Sequence, residues 1–90
     1  MEPACDEYVL DICDSTAHWM ARHRPWDASL DTTELLNTAR ELRRALTNLL
    51  QHQEEMLEDT ITRLLRVRGQ LTSYIVTVKA PRAKKSGLRL

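Results

Sequence analysis

Apolar residues in this chain recur in steps of three and four, in two stretches separated by a single proline. In the first, Val9, Ile12, Cys13, Thr16, Trp19, Met20 and His23 fall on one helical face. Pro3 suits a first helical position. Asp6 and Glu7 favour the positive end of the helix dipole, and Arg22, His23 and Arg24 the negative end. A residue preceding proline avoids the α region, so Pro25 predicts a helix over residues 3–24 that stops near Arg24.

Residues 25–30, Pro-Trp-Asp-Ala-Ser-Leu, form a connection. Asp31 is an N-cap, with Glu34 three residues on to close a capping box, and Leu30 and Leu35 occupy the two positions of a hydrophobic staple. The second helix therefore starts at residues 31–32. No proline follows until Pro81, and the only glycine on the way is Gly69. The seam 35, 39, 42, 46, 49, 53, 56, 60 has heptad spacing, and Leu35, Ala39, Leu42, Leu46, Leu49 and Met56 make it apolar. Gln53 and Thr60 interrupt it, either as a polar gap at a helix edge or as a device that fixes register.

After Met56 the seam shifts by one residue and continues through Leu57, Ile61, Leu64, Leu71, Ile75 and Val78, with Arg68 the miss. Leu36, Leu50, Leu65 and Val67 widen the stripe beyond a two-stranded seam. The pattern predicts one helix from residue 32 through 68 and on to about 78, although Thr72, Tyr74, Ile75, Val76, Thr77 and Val78 favour strands. Such a helix is ~70 Å long, while the first helix covers ~30 Å of it. The uncovered half would expose a long apolar stripe, which lone chains rarely do, so self-association or an obligate partner is expected.

The fold class read from this pattern is all-α. A short helix, a connecting loop and a long amphipathic helix form a helical hairpin with coiled-coil or helical-bundle assembly over residues 1–78. Residues 79–90, Lys-Ala-Pro-Arg-Ala-Lys-Lys-Ser-Gly-Leu-Arg-Leu, read as a flexible basic tail, too charged and too broken to form a core.

Charge sharpens this picture. The formal net charge is zero, yet residues 60–90 carry eight Lys or Arg and no acid, and residues 1–59 carry thirteen acids against five bases. The chain is thus split into a −8 part and a +8 part. The basic end, Arg63, Arg66, Arg68, Lys79, Arg82, Lys84, Lys85 and Arg89, is expected to contact an anionic or acidic partner, to stay solvated, or to act in part as a nuclear localisation signal. Aromatic residues interleaved for base stacking are missing, which argues against sequence-specific nucleic-acid reading.

Composition adds limits. Ninety residues allow one domain with a small core. Phe is absent, so Leu must supply the core volume. Cys5 and Cys13 would lie ~12 Å apart along one helix, too far for a disulfide, and read as reduced thiols. The N-terminus is acidic where a signal peptide is basic, and no apolar run approaches the ~20 residues of a membrane span. The expected location is intracellular, cytoplasmic or nuclear.

Chemistry is not visible. Cys13, His18 and His23 are spaced by five, which scatters them around a helix, so no metal or cofactor is expected. Glu54, Glu55, Glu58 and Asp59 read as a solvated face rather than a catalytic pair. No phosphate loop or nucleophile motif occurs. The expected role is a small non-enzymatic assembly subunit or adaptor that pairs through its long helix with itself or a partner chain. Its interface would comprise Leu35, Leu42, Leu46, Leu49, Leu50, Met56, Leu57, Ile61, Leu64, Leu71 and Ile75, with Trp26 closing the hairpin end or anchoring the partner. The alternative is a basic-tailed dimer that binds nucleic acid without sequence preference. No small-molecule substrate is expected.

Overall fold

The computed structural model describes residues 4–79, with side chains from Asp6 onward, and all its regular structure is helical. Three helices run in sequence: α1 (Ala4–Arg22), α2 (Thr32–Leu50) and α3 (Glu58–Lys79). A single 3-10 turn, Gln53–Glu55, lies between the second and third. The expected start at Pro3, the Cys5 side chain, and tail residues Arg82, Lys84, Lys85 and Arg89 lie outside the described residues.

The first helix ends two residues before its expected limit. The His23 ring nitrogen Nδ1 lies 2.9 Å from the Trp19 carbonyl, and the His23 backbone N–H donates to the same oxygen. These bonds satisfy a carbonyl that the helix end would leave open. The second helix starts where the cap signal places it. The Asp31 carboxylate accepts from the backbone N–H of Thr33 at 2.9 Å and of Glu34 at 3.4 Å. Leu30 and Leu35 both pack into the core.

The main departure from the sequence expectation is that the long helix is broken. Residues 51–57 leave the helix without a proline or a glycine. The five residues from Gln51 to Glu55 are all polar and all exposed, and they fall where the seam loses its apolar residue at Gln53. A helix continued through them would gain no burial there and would leave the stripe beyond it in water. Reversing the chain instead lays the two halves of the stripe against each other. The one-residue seam shift after Met56 belongs to this reversal.

Polar pairs fix the directions of the helices. Arg43 reaches the Thr72 hydroxyl and Arg68 the Thr47 hydroxyl, both at 3.4 Å, so α2 and α3 are antiparallel. Asp6 meets Leu57 and Thr60, Asp14 meets Arg63, and Trp19 meets Tyr74, so α1 and α3 are parallel. The result is an up-down-up three-helix bundle. Its core holds Val9 and Cys13 of α1, Leu35, Ala39 and Leu46 of α2, and Leu64, Val67, Leu71, Tyr74, Ile75 and Val78 of α3. The segment after Gly69 is therefore helix, because its β-branched residues alternate between a buried face and an exposed one at helical spacing.

Thr60, one of the two interruptions of the seam, is buried and donates its hydroxyl hydrogen bond to the Asp6 carboxylate. The same carboxylate oxygen accepts from the Leu57 backbone N–H at 3.0 Å. A side chain of α1 thus satisfies a donor at the start of α3. Thr60 is a tie between helices rather than a coiled-coil register device. At the other end of the same pair, the Tyr74 hydroxyl donates to the His23 carbonyl, and Trp19 stacks on His23 with ring centroids 4.9 Å apart.

Leu46 is fully buried and Glu55 is exposed. Leu46→Ala should cost ~2–5 kcal/mol in chemical denaturation, while Glu55→Ala should leave the midpoint unchanged. The hydrogen bonds from Thr60 and then Leu57 hold the Asp6 carboxyl below its ordinary value of 3.8. A carboxyl depressed in the fold contributes stability above the unfolded value and loses it as pH falls through the folded one. Stability measured from pH 5 downward, on the order of the carboxylate range, should therefore fall in part through Asp6. Asp6→Asn should show a flatter acid limb.

Candidate interaction surface

Helix α3 carries two apolar faces. The first, Thr60, Leu64, Val67, Leu71, Ile75 and Val78, is buried against α1 and α2. The second runs through Leu65, Gly69, Thr72 and Val76, in steps of four, three and four, and all four residues are exposed. Leu65 is 46% exposed and Val76 63%. No charged residue interrupts this stripe. A Cβ built on Gly69 would meet nothing within 4 Å. Nothing inside the chain therefore requires glycine there, although glycine in a helix interior costs about 1 kcal/mol relative to alanine.

Beside the stripe, where α2 flanks the C-terminal half of α3, lies an open cleft of about 470 Å³. Ile75 and Val76 contribute its apolar part, Thr72 a hydroxyl, and Arg40, Arg43 and Lys79 three cations. No carboxylate lines it. Such a lining suits a carboxylate or phosphate that carries an apolar group beside it. It offers no nucleophile with an adjacent base. Among the described residues, no group of three His, Cys, Asp or Glu converges as a metal site would require. Burial pushes the Cys13 thiol up from its ordinary value, which keeps it protonated and unreactive.

At the opposite end of α3, Glu54, Glu55, Glu58 and Asp59 are exposed around Leu57, itself 68% exposed. Folding mixes the charge split of the sequence at one end, where Arg63 pairs with Asp14, and sharpens it at the other. Arg40 and Arg43 come from the acidic half of the sequence, yet antiparallel packing carries them to the basic end beside Lys79. The acids at that end are Asp27, Asp31, Glu34 and Glu41, in the α1–α2 connection and on α2, with Glu41 between Arg40 and Arg43.

The residues expected at an interface divide three ways. Leu35, Leu46, Leu64, Leu71 and Ile75 lie in the chain's own core. Leu42, Leu49, Leu50 and Met56 are partly buried against it, and Ile61 is half-buried. Only Leu57 and Trp26, 64% exposed, remain at the surface. Of the cations expected to meet an anion, Arg63 is paired with Asp14 at 2.8 Å, Arg68 turns toward Thr47, Arg66 is exposed, and Lys79 borders the cleft. The surface that remains open was missed in the sequence because Leu65 looked like a widening of the main stripe and Val76 like part of a strand-favouring run. Their spacing from each other and from Thr72, rather than from the main seam, carries the signal.

Because the Gly69 site is open, Gly69→Ala should raise the stability of the dilute chain by about 1 kcal/mol in thermal unfolding, through helix propensity alone.

No helix among the described residues is long and apolar enough to cross a membrane. Compared with known proteins, the chain matches no family model, no curated protein and no solved structure, so its functional reading rests on its own surface.

Proposed function

We propose that this chain is a non-enzymatic helical assembly module that docks an acidic, apolar-centred protein surface on the outer face of α3 and the adjoining basic cleft. The observation that carries this reading is the uncharged stripe Leu65–Gly69–Thr72–Val76, continuous with a cleft lined by Arg40, Arg43 and Lys79. The apolar seam expected to hold an assembly is consumed inside the bundle, so pairing must use what lies outside it. Leu65 and Val76 supply apolar contact, and the three cations select for acid and steer the encounter. In sequence, Arg82, Lys84, Lys85 and Arg89 follow Lys79, outside the described residues. Nucleic-acid binding fits the cations but leaves Leu65 and Val76 without a role, and the cleft is not lined by aromatics on which bases would stack.

A photo-reactive side chain placed at Val76, and separately at Ser15 on the exposed side of α1, tests this reading in cells that make the protein. Defined protein cross-links are expected from position 76 and not from position 15. Equal patterns from both positions, or cross-links from 76 to nucleic acid alone, would overturn it.

A further inference from the structure

We infer that the acidic partner is a second copy of this chain, bound in an antiparallel two-fold dimer along the outer face of α3. The inference rests on the docking surface proposed above and names its occupant. That surface needs a partner with an apolar centre set among carboxylates. The chain itself carries one: Leu57, exposed among Glu54, Glu55, Glu58 and Asp59. Within one molecule this acidic end and the cleft cannot meet, because helix α3 holds Glu58 and Val76 ~27 Å apart along its axis. Between two molecules they meet twice when the α3 helices run in opposite directions. Each acidic end then faces the basic cleft of the other copy. Parallel pairing would set acid beside acid and base beside base, at a cost in stability.

The register follows from Gly69. Centring the two-fold axis on residue 67 lays Leu65 of each copy over Gly69 of the other and sets Thr72 beside Thr62. The same register brings Val76 level with Glu58 and sets Lys79 at the end of α3 beside the acidic turn, Glu54 and Glu55, that precedes the partner helix. The absent side chain at Gly69 then lets two helices approach closely and receives a leucine, which accounts for a glycine that the monomer does not need. A two-fold contact of this kind closes on itself, so association stops at two.

Sedimentation equilibrium of the full chain tests the proposal. The expected result is a monomer–dimer equilibrium that plateaus at twice the chain mass and weakens as salt rises, because the end contacts are screened. Two charge reversals carry the decisive arm. Arg40→Glu with Arg43→Glu, and separately Glu54→Arg with Glu55→Arg, should each raise the dimer dissociation constant by about tenfold or more. Mixing the two variants should restore a 1:1 dimer, since both contacts regain opposite charges. Gly69→Gln should abolish the dimer while circular dichroism shows the helices intact, because its side chain enters open space in the monomer.

A wild-type chain that stays monomeric at high concentration, a mixture that fails to associate, or a Gly69→Gln dimer of undiminished affinity would overturn the second copy as partner. Growth beyond two copies would overturn the two-fold arrangement. If the chain is monomeric while position 76 still cross-links a different acidic protein, the docking surface stands and only its self-pairing falls.

Discussion

The structure depends on one constraint: a chain of ninety residues must bury an apolar stripe that runs on both sides of a polar pentad. Hydrophobic burial is roughly proportional to the area removed from water, and the stripe is far longer than α1 can cover. Reversal at residues 51–57 solves this by making the two halves of the stripe each other's cover. Leu46, Leu64 and Leu71 then meet in a common core that neither half could form alone. The antiparallel pairing of α2 and α3, and with it the meeting of Arg40 and Arg43 with Lys79, follow from that reversal.

Much of the fold was legible in the sequence, and the exception is instructive. Helical periodicity marked the residues of α1 and the stretch holding α2 and α3, which it read as one helix, Asp31 announced the start of α2, and Pro25 closed α1 nearby. What periodicity could not show was the break, because no glycine or proline marks it. The cue was weaker and spread over several residues: five consecutive polar positions, a one-residue seam shift, and the acidic pair Glu58 and Asp59 suited to a helix start. Each is tolerable inside an exposed helix. They become a turn only when the energy of folding back is counted, and that is a tertiary quantity. The cap on α3 was equally hidden, since Asp6 lies more than fifty residues from Thr60.

The same separation explains why the surface was harder to read than the core. Burial is a property of each helix's own pattern, whereas a cleft is made by two helices whose register the sequence does not state. Arg40 and Arg43 sit one turn apart on α2 and Lys79 ends α3, with nothing in their order along the chain to join them. Antiparallel packing joins them and leaves the carboxylates around Leu57 at the far end. With zero formal net charge the chain lacks the self-repulsion that a net charge would give.

The two contact sets of the bundle also differ in what they demand of the chain. Helices α2 and α3 close across a link of a few residues, while α1 reaches α3 through partners 49 to 54 residues away. Loop-closure entropy grows with the logarithm of length, so the second closure costs about 2 kcal/mol more than the first. Closure of α2 on α3 is therefore the cheaper of the two taken alone, and α1, joined to α2 by residues 23–31, adds its own contacts and the Asp6 cap to the inner side of α3. The outer face of α3 is made by α3 itself, beside the cleft it forms with α2. That face takes no part in either closure, and α1 covers the inner side of α3 through Asp6, Asp14 and Trp19.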